Sequence, residues 1–262
     1  GWYAPEVDQV AWEKIADVYG LNQDERGWKE LVFNLKNPEV LSLDNQTPTL
    51  QGNYVTSYDI WAARKGIIDA SKIFQLAAIG VVLTRDNQVL GGIRGGGITP
   101  EKRDQFASGL FATPPGGSIG FKIKYDCDPI TDTNVDEFTE EIGKFEIISQ
   151  QLLGVFKAFK PGPTGYKFVS AIKTDATLSQ IQEVNLKSNV LYQELLNYGC
   201  EVPTAKQELI ERGLPPDSWE HFPMIGFPNN REALEFTVGT MPQLFSGIGA
   251  GALVMYSHSL VQ

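Results

Sequence analysis

Residues 135–143 read Val135-Asp136-Glu137-Phe138-Thr139-Glu140-Glu141-Ile142-Gly143, and their spacing decides how the chain folds. On a helix, positions three and four apart share a face, so Glu137 stands beside Glu140 and Glu141 while Val135, Phe138 and Ile142 turn toward a core. The reading is a helix over 130–142, stopped by Gly143. Carboxylates crowded this way repel by on the order of a few tenths of a kcal/mol per pair when exposed, and by more when partly buried. A hard divalent cation turns that repulsion into coordination, because Mg²⁺ takes oxygen ligands and keeps water and substrate phosphate in the rest of its shell. A solvated acidic helix face is the simpler alternative.

On the N-terminal side of this helix, Leu76 to Leu83 is an apolar run, Arg85-Asp86-Asn87-Gln88 a polar turn and Val89 to Ile93 a second apolar run. Together they predict a β-hairpin that ends at Arg94. Gly95 to Gly97 opens a loop, and Pro114-Pro115-Gly116-Gly117 makes a second corner, rigid and then flexible. On the C-terminal side, Phe145 to Phe159 and Tyr166 to Ile172 predict two strands around Pro161-Gly162-Pro163. Leu178 to Tyr198 and Lys206 to Arg212 read as helices, and the last segment, Phe245 to Tyr256, is Gly-rich. Before Leu76, Leu31 to Leu35 reads as a strand, while Val10, Ile15 and Val18, and later the run Tyr58 to Phe74, have helical spacing with Trp12 and Trp61 as core residues. Strands and helices mix without a regular βαβ beat. The expectation is therefore an α+β fold, a mixed sheet sandwiched between helices. Residues 1–75 are read as an N-terminal extension packed on a domain of residues 76–262 with an enlarged C-terminal part.

Composition narrows the function. With 262 residues, 42% of them hydrophobic and 21% charged, the chain is long enough for a substantial core. Its 22 basic against 32 acidic side chains leave a net charge of −10, which argues against holding nucleic acid by neutralising phosphates. An anionic substrate would need local help from a metal or a basic patch. No apolar run approaches the roughly 20 residues of a membrane span. Cys127 and Cys200 fit no disulfide or zinc spacing and read as free thiols, so a reducing, cytoplasmic setting is expected. P-loop and HExxH patterns are absent, His221 and His258 stand far apart so that a Ser-His-Asp site is unsupported, and the segment from Gly247 to Ala252 has no βαβ unit to serve as a dinucleotide site. Cys127, between Asp126 and Asp128, would be a poor nucleophile.

With these pieces in place, the sequence resembles the Nudix hydrolase family, whose box runs Gly, five residues, Glu, seven residues, then Arg-Glu-apolar-x-Glu-Glu-x-Gly-apolar. Glu137-Phe138-Thr139-Glu140-Glu141-Ile142-Gly143 matches the helical half position for position. The hairpin Ala78 to Arg94 is similar to the family's opening strands, Pro114 to Ile119 to its Pro-Gly-Gly corner, and Leu153-Gly154-Val155 to the strand that follows. The first half of the box departs. Asp136 stands where the family has Arg, about six residues are inserted after Gly117, and no Glu follows the corner at the family distance, although counting back from Asp136 reaches Asp128. An Asp in place of Arg adds negative charge and removes a bidentate donor. Either Asp126 and Asp128 replace the missing Glu, or the usual hydrolysis is lost or altered.

The resemblance implies Mg²⁺, with Mn²⁺ as a substitute, held by Glu137, Glu140, Glu141 and the Gly117 carbonyl. It implies attack of water on a diphosphate linked to another group. Glu137, Glu141 and Asp128 are the expected catalytic residues, and Gly116, Arg94 and Arg103, with Lys102, would meet the substrate. Glu201 and Glu220 are candidates for a base supplied by a later loop. The expected partner is a small-molecule diphosphate rather than nucleic acid or membrane, and a homodimer is compatible with the chain. Two alternatives stay open: a Nudix-like binding or regulatory module without turnover, and a biosynthetic enzyme acting on a non-nucleotide diphosphate such as a prenyl diphosphate.

Overall fold

The computed structural model describes residues 31–42, 50–56, 59–60, 63, 69–95, 109–120, 128–158 and 164–260. The helical spacing through Trp12, Trp61 itself, the loop with Lys102 and Arg103, and Asp126-Cys127 lie outside them, while the end of the run read as helical from Tyr58 to Phe74 is a 3₁₀ turn at Ala70–Lys72 followed by a strand that starts at Phe74. The chain falls into two compact units, one formed by Gly1–Leu76 with Ser118–Tyr125 and Phe159–Tyr166, the other by Ala77–Gly117, Asp126–Ala158 and Lys167–Gln262.

In the first unit, β1 (Leu31–Leu35) is the strand expected there. It pairs antiparallel with β2 (Gly52–Thr56), Phe33 opposite Tyr54. Asn34 is buried, and its amide links three segments: Nδ2 donates to Asn53 Oδ1 at 3.1 Å while Oδ1 accepts from the Phe74 backbone N–H at 2.8 Å. A small core of Val32, Ile60, Ala63 and Ile73 closes one side.

The second unit is built on β3 (Phe74–Leu83), whose residues are buried almost throughout. Side chains alternate across a strand, and here the two faces enter different cores. Ile79 and Val81 join Val89, Val169, Leu234, Val238, Leu253 and Tyr256, whereas Val82 joins Leu90, Phe138, Ile142, Ile172, Ile181 and Met224. The result is the expected mixed sheet with helices on both faces. Thr84 shapes the hairpin to β4 (Gln88–Arg94), accepting from the Gln88 N–H at 3.0 Å on its hydroxyl, and Asn87 takes the left-handed backbone (φ 60°) that Asn tolerates. β4 also pairs antiparallel with β5 (Phe111–Ala112) and with β9 (His221–Pro228), and β6 (Gly116–Ser118) pairs with β3. β7 (Ile147–Ala158) and β8 (Thr164–Thr174) are the two strands read around the Pro-Gly-Pro turn, and β8 lies against β3.

Helix α1 (Pro129–Glu141) is the acidic helix. Pro129 opens it, and Gly143, at φ 131°, ends it with its N–H on the Phe138 carbonyl at 3.0 Å. Phe138 and Ile142 are buried as read, each worth about 1.5–3 kcal/mol. Val135 is a correction: it is 40% exposed, and the buried stripe runs Asn134, Phe138, Glu141, Ile142 instead. Asn134 lies four residues before Phe138 and Glu141 three after it, so the helix is rolled to bring those two polar residues inward in place of Val135.

α2 (Leu178–Asn197) and α3 (Val202–Glu211) follow the predicted helices closely, α2 opening on a Thr177–Gln180 capping box. Several elements were not foreseen, among them β9 and the two α-helices that follow it. β9 carries Pro223, Gly226 and Pro228, which argue against a strand; the strand is tolerated because its ladder is with β4 alone. α4 (Arg231–Thr240) is capped by Asn230, which accepts from the Ala233 N–H at 3.0 Å. α5 (Gly247–Ser259) is the Gly-rich end of the chain. Its glycines are contact points rather than breakers: a Cβ on Gly249 would stand 2.9 Å from Ala112 Cα, and one on Gly251 would be 3.1 Å from the Phe156 ring.

Two substitutions separate those roles. Gly249→Ala should lower stability against denaturant although Ala is the better helix former, because the added methyl meets backbone. Gly239→Ala in α4, where a Cβ meets nothing within 4 Å, should instead raise it by about 0.5–1 kcal/mol. Equal responses at both positions would show that packing against β5 does not hold α5.

Candidate active site

The end of α1 meets the glycines that open β6. Gly117 is pressed against Glu137 so closely that a Cβ there would lie 1.7 Å from Glu137 Oε1 and 2.2 Å from its carboxyl carbon. Only glycine leaves room for that carboxylate. One residue earlier, the Gly116 backbone N–H donates to the carboxylate of Glu141. The two glycines singled out in the sequence are thus set against two of the three helical glutamates.

Glu141 is 2% exposed, and its inner oxygen Oε2 lies 3.3 Å from Nδ1 of His221, a residue equally buried. Neither atom makes a well-aligned hydrogen bond. Burial, followed by the negative charge of Glu220, raises the Glu141 carboxyl well above the usual range, with Arg94 and the Gly116 N–H opposing. Burial, then the charge of Arg94, holds the His221 ring down to about 3 against the pull of Glu220. Burial thus favours the neutral form of each group, because desolvation works against the attraction that two ions would gain.

Glu137 is half-buried, and Glu140 is exposed one turn along. Burial and then the charges of Glu141, Glu140, Glu220 and Asp217 push the Glu137 carboxyl up to about 9. Glu220 and Asp217 come from a short 3₁₀ turn, Ser218–Glu220, and its flank, leading directly into β9. The Asp217 backbone N–H donates to the Glu140 carbonyl at 2.8 Å, tying that turn to the end of α1. Arg94, at the end of β4 opposite His221, lies 3.6 Å from the Glu220 carboxylate. Lys206 on α3 pairs with Asp217.

Of the residues named from sequence, Glu137, Glu140, Glu141, Gly116, Gly117, Arg94 and Glu220 therefore gather around the end of α1. Arg103 is outside the described residues. Glu201 is the exposed residue before α3 and makes no side-chain cap bond. Asp128 sits at the far end of α1, nine residues or about 14 Å of helix rise before Glu137. Its carboxylate caps the helix, accepting from the Ile130 and Thr131 N–H groups at 2.9 and 3.0 Å and from the Thr131 hydroxyl at 2.7 Å. Partial burial pushes the Asp128 carboxyl up, but these bonds outweigh it and hold it below the usual range. Sequence reasoning missed Asp217 and His221, which lie about eighty residues from the helix in the chain and match no motif; only the β4–β9 ladder brings them in.

A hard cation suits this donor chemistry. Several carboxylates crowd together, one buried carboxylate oxygen lacks a partner, and the glycine corner leaves space for Glu137. Among the described residues, however, no three His, Cys, Asp or Glu side chains already converge as a ligand set. No described helix is long and apolar enough to cross a membrane.

The crowding fixes the sign of a pH effect. Glu137 holds its proton in the folded metal-free protein to a pH well above its unfolded value near 4.5, so stability is full below that value and falls as pH rises toward 9. In chelator, Glu137→Gln should flatten that decline between pH 5 and 9 and melt no lower than wild type at pH 8. Asp128→Ala should destabilise by about 1 kcal/mol, the ordinary cost of a lost cap. A wild-type melting temperature that does not fall across this range would show that the Glu137 carboxyl is not crowded.

No protein-family model and no curated protein matches the chain. Solved structures do align with it. A MutT protein from Methanosarcina mazei Go1 matches at 10% identity over 72% of this chain and 96% of its own, with a TM-score of 0.42. The Nudix domain of Shewanella oneidensis NrtR, solved with ADP ribose, matches at 12% identity over 79% and 100%, with a TM-score of 0.39. Tm1382, assigned to the Nudix hydrolases, matches at 11% identity over 86% and 98%, with a TM-score of 0.44.

Proposed function

We propose that the protein is a Mg²⁺-dependent diphosphohydrolase of the Nudix type, acting on a nucleoside diphosphate linked to another group or on a related diphosphate ester. The observation that carries the reading is the meeting of Gly117 with Glu137 and of Gly116 with Glu141. It joins the two halves of the box that the sequence resembles, across the residues inserted between them.

In this reading Glu137, Glu140, Glu141 and the Gly117 carbonyl would hold the ion, and Mn²⁺ would suit the same oxygen donors. Once bound, the ion supplies charge neutralisation at the phosphoryl oxygens and a more acidic water. Glu140, exposed in this structure, would turn inward to join them. Glu137 and Glu141 give up the protons that crowding makes them keep in the metal-free protein. Glu220, whose charge like that of Asp217 is felt by both, would be the carboxylate to take the proton of the attacking water. Arg94 orients the diphosphate, exchanging its contact with Glu220 for a phosphate oxygen, with Arg103 as a second donor. Asp128 contributes by fixing the start of α1, which sets the angle at which the glutamates emerge. Residues 76–262 would carry the activity, residues 1–75 would be an appended unit, and the two cysteines fit a cytoplasmic setting.

A second reading has one observation in its favour. Asp136 occupies the family's Arg position, so the donor that would orient the carboxylates is missing, and a binding or regulatory module without turnover would need none. Release of phosphate or a nucleoside monophosphate from a panel of diphosphates, with and without Mg²⁺, separates the two. The hydrolase reading expects turnover that needs Mg²⁺ and is abolished in Glu140→Gln and Glu141→Gln, while the melting temperature of both variants in chelator is unchanged or raised. Binding of a diphosphate without turnover would favour the module. Calorimetric Mg²⁺ titrations that are identical for wild type and both variants would remove the metal site.

A further inference from the structure

Helix α2 carries a row of buried polar side chains along the face it turns to the segment before β9. Asn185, Ser188 and Asn189 are each no more than 4% exposed. Asn is a poor helix-interior residue, and an amide buried without partners costs on the order of 1–3 kcal/mol by protein mutational measures, so three such residues need strong local compensation. The compensation is directed at one place. Asn185 Nδ2 donates to the Ser218 carbonyl at 3.0 Å and to the His221 carbonyl at 3.2 Å. Ser188 Oγ donates to the Pro215 carbonyl at 2.7 Å, and Asn189 Nδ2 reaches Ser218 Oγ at 3.3 Å. These bonds bracket the residues between 215 and 221, which hold Asp217, Glu220 and His221.

We infer that Asn185 is a positioning residue of the carboxylate site. Acting through the Ser218 and His221 carbonyls, it holds the turn that carries Asp217, Glu220 and His221 against the end of α1. The inference rests on the metal site of the proposed function. Its physical basis is that a short 3₁₀ turn has few bonds of its own, so the direction of its side chains is set by whatever grips its carbonyls. With one planar amide spanning both Ser218 and His221, the Asp217 N–H meets the Glu140 carbonyl and the His221 ring stands beside Glu141. The turn in its own right touches two of the proposed ligands, Glu140 and Glu141, and groups that orient metal ligands commonly change metal affinity by about 10–100-fold when removed.

Gln182 provides an internal control. It lies on the same helix and its Nε2 donates to the Met224 carbonyl of β9 at 3.0 Å, one helical turn from Asn185 but beyond the turn in question. The test compares wild type, Asn185→Ala, Ser188→Ala and Gln182→Ala by Mn²⁺ titration followed by electron paramagnetic resonance. Backbone amide exchange at Asp217 and melting in chelator are measured on the same proteins. Asn185→Ala should bind Mn²⁺ about 10–100-fold more weakly and exchange the Asp217 amide faster, and Ser188→Ala should shift both in the same direction by less. Gln182→Ala should change neither, whatever its melting temperature. If Asn185→Ala fails to fold, the Ser188→Ala and Gln182→Ala pair carries the same comparison. Losses of Mn²⁺ affinity that track melting temperature equally across the variants, or equal affinity in wild type and Asn185→Ala, would overturn this inference alone. A wild type that takes up no Mn²⁺ overturns the functional reading and this inference with it.

Discussion

Helix α1 buries Glu141 together with Phe138 and Ile142, three and four residues apart on one side of the helix. That coupling organises the second unit. The apolar pair anchors α1 on the core that also holds Val82, Leu90 and Ile172, and the same anchoring carries a carboxyl group out of water. The carboxyl meets a glycine N–H and an imidazole, neither of which can hold it ionised. A helix rolled to bury Val135 would avoid this cost, yet Val135 is exposed and Glu141 is inside. The chain accepts a locally unfavourable arrangement at one end of an otherwise conventional packing, which is the kind of inconsistency found where a structure serves something besides stability.

The opposite wall comes from a distant part of the chain. β9 pairs with β4, and this ladder sets His221 opposite Arg94, with Glu220 immediately before it. Most of the negative charge felt by Glu137 originates on its own helix, while Glu220 and Asp217 add theirs from the turn before β9. Electrostatically the site is an acidic pocket with Arg94 as the cation the buried groups feel most directly. In the absence of a cation the carboxyls resolve the repulsion by holding protons, and a divalent ion offers the other resolution. Polar bonds from α2, rather than apolar packing alone, keep the turn in place, so this wall depends on directional contacts as much as on burial.

The glycines divide into two physical kinds. Gly117 is required by the close approach of a side chain, Glu137, and Gly249 by the close approach of a strand backbone. Neither is there for an unusual backbone angle, and a helix with glycines at its packing surface is stable only because the tertiary contact offsets their low helix propensity. Gly143 is different: at φ 131° it permits the turn that lets α1 end and the chain enter β7.

Periodicity by itself determined the hairpin of β3 and β4, the helix carrying Glu137, Glu140 and Glu141, the paired β7 and β8, and α2, because each is a local pattern of apolar spacing closed by a cap or a turn. The resemblance in residues 114–119 and 137–143 pointed to the glycine corner and the helical glutamates together, and Gly117 and Gly116 do lie against Glu137 and Glu141. Three kinds of information were not legible. Which face of α1 is buried depends on the shape of the core it meets, and so Val135 and Glu141 exchanged places. β9 and α5 are written in Pro- and Gly-rich sequence whose local preference is against strand and helix, and their tertiary partners, β4 and α2 for one and α4, β5 and β7 for the other, make them form. His221, Asp217 and Asn185 carry no motif at all; a lone histidine, a lone aspartate and a mid-helix asparagine acquire their roles when the β4–β9 ladder and the face of α2 bring them to the end of α1, and such long-range pairing leaves no periodic trace in the chain.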